Sequence, residues 1–416
     1  MPGQVLENYN QRLCRNNLFY LQLLSVFRAL FFMVPVWVSM ELRYISLTQV
    51  AIIDIIILLS ALILELPTGA LADLIGRKKS ISIAFLITAL AYFLFAYANS
   101  FTWFVVAALG FGLGDALLSG SLEALVFDTL KQNQQEHTFS EVNNKTSLIF
   151  NYSIFVAIVL GGMMYQHFPR LPSILTGCAM LISGLISLRL IEPDIDSEKF
   201  TLKNYLRQTK MGFKELFKNK QARDISVFYI LVGAFTWPIV LSFKNFALVD
   251  LGVNEKNIGL ILGFVSLFAV QILHLMIRKK VFDNMKIVFL LPSIILSIVL
   301  PLSYFYQIPI IILMVFFVAL VSSMRWNVLG KLSNQCYSSK NRATAISSLS
   351  MMISLAYIAV LALFSLLNEY TEHSIRIIFL LMGLGSIFFL LPISWKLAKK
   401  YQDRIFVKNS EVVDQL

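Results

Sequence analysis

The chain has 416 residues, of which 57% are hydrophobic and only 14% charged, with a mean hydropathy of +0.73. Soluble domains carry about 25% charged residues, so this composition excludes an ordinary soluble protein and fits a chain covered by lipid. The formal charge of +11 is read as the cation bias of cytoplasmic loops rather than as a nucleic-acid surface.

Residues 1–16 are polar and show no charged start, short apolar core and small-residue cleavage site, so the first apolar run is expected to direct insertion itself. A helix crosses about 30 Å of hydrocarbon in about 20 residues. Apolar runs of that length fall near 17–40, 48–68, 80–98, 101–127, 146–167, 172–191, 224–248, 257–277, 286–305, 308–330, 343–367 and 374–396, twelve in all. The connections Asn99-Ser100 and Tyr306-Gln307 are short enough for tight helical hairpins. Pro35, Pro238, Pro292 and Pro301 fall inside runs, where membrane helices tolerate kinks.

Residues 192–223 form the one long connection and divide the runs six and six. They carry eight cations, with Tyr205, Leu206, Phe213, Leu216 and Phe217 at roughly helical spacing. This predicts an amphipathic helix on the cytoplasmic leaflet, a passive linker more than a regulator. The expected organisation is a first bundle over 1–191, a linker over 192–223 and a second bundle over 224–416. With both termini inside, 28 of the 35 cations lie on the cytoplasmic side. Arg43, Arg170, Lys256 and Arg376 lie outside, and Arg28, Lys244 and Arg325 within spans. Residues 278–286 occupy the same place in the second half as 69–79 in the first, a weak internal echo. Cys14, Cys178 and Cys336 make neither a disulfide framework nor a metal spacing.

Residues 65–79 read Glu-Leu-Pro-Thr-Gly-Ala-Leu-Ala-Asp-Leu-Ile-Gly-Arg-Lys-Lys, a charged turn between two apolar runs. Charge and non-helical backbone cannot stay in hydrocarbon, and Arg77, Lys78 and Lys79 place the turn at the cytoplasmic face. The pattern from Gly69 through Asp73 and Gly76 to Arg77 closely resembles the loop 2–3 signature of the major facilitator superfamily of transporters. The resemblance extends to span count, orientation and central loop. It implies an all-α polytopic fold of twelve transmembrane helices in two six-helix bundles, with cytoplasmic termini. It further implies a charge relay in which Asp73 and Arg77 meet an acid at the inner end of span four, the place of Asp128; a plain topology anchor is the other reading. Residues 115–128 look like the fourth span of bacterial drug- and metabolite-exporter-like members, and Ser119, Gly120 and Ser121 suit close helix packing. Span five offers Gly161-Gly162 without the Gly-Pro-rich motif usual in antiporters of that superfamily.

An ionisable group at mid-bilayer costs at least about 2.5 kcal/mol on insertion scales. Arg28 and Asp115 stand in spans one and four, two of the cavity-lining spans the resemblance implies. They are expected either to form the polar centre of a substrate or proton site or to pair structurally. Glu123 and Arg325 lie at matched depth near the inner ends of spans four and ten, and Asp54 and Lys244 near the outer ends of spans two and seven. Depth predicts Glu123–Arg325 as an inner gate and Asp54–Lys244 as an outer one, or else four charges that each face water alone. Trp237 and Asn245 in span seven, and Trp326 and Asn327 in span ten, are candidate cavity residues for an amphipathic organic ligand. His274 reads as structural.

The sequence shows no hydrolase triad, phosphate-cradling glycine loop, Walker lysine or metal cluster, so no enzyme activity or cofactor is expected and an ion or substrate gradient must supply the drive. The expected protein is a monomeric inner-membrane transporter of a small organic molecule with protons as coupling ion. Uptake of an organic anion, or a sensor that binds without moving substrate, are the rival readings.

Overall fold

The computed structural model describes residues 2–119, 121–193, 202–338 and 341–402; within these, the side chains of 2–10, 66–67, 69–74, 123, 136, 140, 202–206 and 343 lie outside the description. In the first half the helices are α1 Pro2–Phe27, α2 Trp37–Glu41, α3 Leu47–Ile75, α4 Arg77–Tyr97, α5 Phe101–Leu118, α6 Ser121–Gln132, α7 Phe139–His167 and α8 Leu171–Ser187. A connecting helix, α9 Leu202–Leu216, follows. The second half holds α10 Lys220–Pro238, α11 Lys244–Asp250, α12 Glu255–Arg278, α13 Met285–Leu302, α14 Ile308–Met324, α15 Gly330–Cys336, α16 Arg342–Tyr370, α17 Ser374–Gly385 and α18 Leu391–Lys400. Among the described residues ten helical stretches are long and apolar enough to cross a membrane, and α8 is a shorter apolar helix. With α1 and α2 as an interrupted first span, the set is compatible with the twelve runs read from sequence.

The first span is not one helix. Between Phe27 and Trp37 the backbone runs through turns, with Phe31 N bonding Ala29 O and Val36 N bonding Met33 O. Pro35 lies in this stretch; it cannot donate a backbone bond and its ring obstructs a continuing helix. The freed amides bond locally, as a buried segment requires. Span four breaks likewise after Ser119, between α5 and α6; Gly120 lies outside the described residues. Spans seven, ten and twelve each contain one widened π-type turn, at Ile239–Phe243, Arg325–Leu329 and Ser386–Leu390. Pro238 immediately precedes the first of them.

In lipid, apolar surface alone does not drive helices together; close packing and buried hydrogen bonds do. In the first half α4 packs on α5 and α8, and α3 on α5. Ser82 and Ser187 hydroxyls meet at 2.7 Å, and Ser80 donates to Leu117 O at 3.1 Å. Asn17 donates to Ile191 O and accepts from Ile191 N, closing α1 onto the end of the bundle. In the second half α10 packs on α14 and α16, and α13 on α14, α17 and α18. The halves meet along α3–α16, α7–α12 and α2–α11. Gly161 and Gly162 make the α7 seam possible. A Cβ on Gly162 would stand 2.4 Å from Glu255 O, and one on Gly161 would stand 1.9 Å from Phe32 O.

The connecting helix does more than rest on a leaflet. It packs along α16, with Gly212 against Thr344; Tyr205 and Leu206 side chains lie outside the description. Near its end Glu215 accepts Ser338 N at 2.7 Å and Asn341 Nδ2 at 3.3 Å, and pairs with Lys218. Burial alone would push the Glu215 carboxyl up, but Lys218 and these donors outweigh it and hold it down to about 2.

Candidate functional site

The signature turn is short. α3 ends at Ile75, Gly76 takes φ +92° and α4 starts at Arg77. A side chain is strained at that φ. The Glu192 carboxylate sits where it can accept Arg77 N and Lys78 N, both at 2.8 Å, so it caps the amides and the positive pole of α4. Arg77 then forms an ion pair with Asp128 of α6, joining the inner ends of spans three and four. The Gly69, Asp73 and Glu123 side chains lie outside those described. Glu192 carries no motif and sequence reading missed it.

Midway along the second half, Arg325 begins the widened turn of span ten. Its side chain is 1% exposed. Its guanidinium lies 5.0, 5.2 and 4.5 Å from the ring centroids of Tyr229, Trp237 and Trp326. Nε and Nη2 meet no hydrogen-bond partner among the described residues. The two indoles stand 6.0 Å apart. Cation–π contact strengthens when the cation is desolvated, which lets the rings hold a buried arginine. Trp326 and Asn327 are exposed, Asn327 bonding only back to Ser323 O. In the first half Asp115 is exposed about 21 Å along its span from the outer end of α5. An exposed carboxylate at that depth requires water rather than lipid beside it.

At the outer end, Ser242 donates to Asp54 across the seam between the halves and also bonds the Tyr357 hydroxyl of α16. Trp37 of α2 packs on Phe246 of α11, and Asn368 bonds Thr48 at 3.0 Å. Asn245 is buried with neither amide atom partnered among the described residues. At the inner ends α6 packs on α1, α4, α5 and α7, and α15 on α10, each within its own half, while Ser347 of α16 donates to Glu65 of α3 at 3.5 Å across the halves.

One expected meeting is made and others are not. Arg77 meets Asp128; Arg325 meets both tryptophans, with which no expectation paired it. The ion pairs among the described residues are Arg77–Asp128, Glu215–Lys218, and Asp224 with Arg223 and Lys400; neither Arg28–Asp115 nor Asp54–Lys244 is among them. Arg28 lies over the Phe150 ring of α7, and Asp115 stands beside Tyr92 of α4. Asp54 faces Ser242 instead of Lys244 because two residues of helix turn a side chain by about 200°. Arg325, placed by depth in an inner gate, is turned into the aromatic cluster.

A profile of the Major Facilitator Superfamily matches residues 17–281. The chain belongs to that superfamily. Among relatives of this major facilitator chain, an uncharacterized MFS-type transporter of Bacillus subtilis, YxaM, is 24% identical over 60% of this chain and 63% of its own. The quinolone resistance protein NorA of Staphylococcus aureus is 21% identical over 60% of this chain and 64% of its own. The matches thus span less than two thirds of these relatives. Among solved structures, the POT family transporter PepTSo aligns at TM-score 0.72 and 10% identity, over 93% of this chain and 98% of that one. The nucleoside transporter NupG aligns at 0.69 and 13%, over 94% and 100%. These likenesses fix the fold: a multi-pass, all-α major facilitator protein of the bacterial inner membrane.

Proposed function

We propose that the protein is a secondary transporter that exports a small organic molecule in exchange for protons, by rocking two six-helix bundles about a central cleft. The observation that carries this is Asp115, a carboxylate exposed deep within a span, which needs a water-filled cleft beside it. In the second half the Arg325, Trp237 and Trp326 cluster supplies aromatic faces and a buried cation, suited to an amphipathic ligand. In this reading the joined outer seam belongs to an outward-closed state that loads from inside. The likeness to a protein named for quinolone resistance supports export.

In this reading Arg28 and Asp115 form the polar centre of the cleft. Asp73, Arg77 and Asp128 act as the inner relay, and Glu123–Arg325 forms when the inner side shuts. Uptake of an organic anion is a second reading, favoured by the unpartnered N–H groups of Arg325. The test is purified protein in liposomes carrying a trapped pH dye, challenged with a panel of aromatic cations and carboxylates under an imposed pH gradient. Exchange predicts substrate-dependent proton flux that Asp115→Asn abolishes at unchanged expression. Flux unaffected by Asp115→Asn overturns the assignment, and substrate movement without proton flux favours anion uptake.

A further inference from the structure

At the outer end of the first half a cavity of about 510 Å³ opens between the end of α2, the turn after α7 and the start of α8. Two arginines stand on its wall, Arg43 in the turn after α2 and Arg170 immediately before α8. The outer face holds few cations, as the positive-inside rule expects; half of the four read from sequence gather at this one place. Both arginines are exposed, and each is set by an aromatic ring. The Arg43 guanidinium lies 5.0 Å from the Tyr165 ring centroid, and that of Arg170 lies 5.1 Å from Tyr97. Stacking of this kind limits the rotamers of a long side chain, so less freedom is lost when it takes an anion.

The site has positive charge and no acid to answer it. Neither arginine is in an ion pair among the described residues, and among those residues no carboxylate lines the cavity. Glu41, two residues before Arg43, is buried and off the wall. Glu255 of α12 belongs to the seam, its backbone against Gly162. α8 begins on the wall at Leu171 and turns its positive pole there, while α7 ends at His167 with its negative pole. Those half charges cancel and the two full charges remain. Arg376, an outer cation of the second half, is placed differently: it stacks on Tyr306, whose hydroxyl donates to Asp250 at 2.8 Å. The rest of the wall includes Met40, Phe168 and Ile174, with Phe168 67% exposed. Tyr44, Tyr97 and Trp103 are exposed at the same outer helix ends, the arrangement of an aromatic belt at the headgroup level. Every wall residue belongs to the first half, so the cavity stands apart from the cleft between the halves.

We propose that this cavity holds the phosphodiester head of an anionic phospholipid of the outer leaflet between Arg43 and Arg170, with the acyl chains leaving past Phe168 into the bilayer. The proposal goes beyond the transport reading and does not depend on it. The forked N–H groups of arginine match phosphate oxygens, and the apolar wall suits the first methylenes of the chains. A soluble phosphate ester shares the head chemistry but leaves Met40, Phe168 and Ile174 uncovered. The bound head ties the end of α2 to the start of α8. Trp37 of the same α2 packs on Phe246 of α11, so the lipid steadies the part of span one that meets the second half.

Native mass spectrometry of the detergent-purified full chain tests this by counting bound lipid, with no substrate needed. The probes are dioctanoyl phosphatidylglycerol, dioctanoyl phosphatidylcholine with the same tails, and glycerophosphoglycerol, the anionic head without tails. Phosphatidylglycerol should fill one site more tightly than phosphatidylcholine. Arg43→Gln and Arg170→Gln should each weaken that binding about fivefold, and the double variant about twenty-five-fold, while Arg376→Gln leaves it unchanged. His167→Glu keeps both arginine stacks and adds a negative charge to the wall, so it should weaken binding as well; it serves if the arginine variants fold poorly. Equal binding of the two lipids overturns the proposal. So does parent-like binding in both the double variant and His167→Glu, or an equal loss in Arg376→Gln, which would mark a general surface charge instead of this cavity. Glycerophosphoglycerol that binds as tightly as the lipid overturns the membrane source and leaves a soluble phosphate ester as the occupant.

Discussion

The α7–α12 seam allows a prediction of direct magnitude. Alanine at position 162 would place its Cβ 2.4 Å from Glu255 O and 3.0 Å from Gly259 Cα. Ordinary contact needs about 3.5 Å, so the two helices must part locally by roughly 1 Å. The obstacle is helix backbone, which cannot swing aside as a side chain could. Overpacking of this kind costs about 1–3 kcal/mol. At about 2–4 °C per kcal/mol for a unit of 150–250 residues, the apparent Tm of Gly162→Ala should fall by roughly 2–12 °C. Melting followed by tryptophan fluorescence in detergent measures it. Gly252→Ala is the control: Gly252 has φ +71° and open space around a Cβ, so only the left-handed backbone cost of about 1–2 kcal/mol applies. A Gly162→Ala protein that melts with the parent would refute the claim that the halves depend on glycine contact here.

Other outcomes follow from the inner and middle contacts. Asp128→Asn removes the ion pair of Arg77 and Glu192→Ala removes the cap of α4, each costing about 1 kcal/mol; both should speed trypsin cleavage at residues 77–79 in inside-out vesicles. Glu215 has a lowered carboxyl in the folded chain, so its stabilisation of the α9 dock is present above about pH 4.5 and lost as pH falls through about 2. Accordingly Glu215→Gln at neutral pH should accelerate amide exchange at Ser338 several-fold, whereas unchanged exchange would dismiss the dock. Arg325→Met keeps the apolar stem and removes a buried cation, so it should leave Tm unchanged or raised while shifting tryptophan emission and losing any anionic ligand.

Hydropathy made the spans legible, because a polar group in hydrocarbon is costly enough to mark every boundary. It did not show where a span stops being a helix. The run 17–40 reads as continuous, yet the chain unwinds before Pro35, and the proline was the available sign. Ser119 and Ser121 read as part of a packing patch but flank the break between α5 and α6. The widened turns carry no signature, since their hydrogen-bond register is decided by neighbours in space. Residue depth gives height and not rotation, so Ser242 and Tyr357 were invisible as partners of Asp54. Glu41 directly follows the apolar run 17–40, and nothing in the sequence signals its burial at the end of α2. Arg77 and Asp128 were legible because the turn fixes one of them and the end of span four the other.

Glu192 opens the long connection read over 192–223 and caps the start of α4. The start of α4 is thus moored to the very strand that tethers the two halves. A pull on the chain at Glu192 would therefore be felt first at the amides of Arg77 and Lys78, beside the left-handed Gly76.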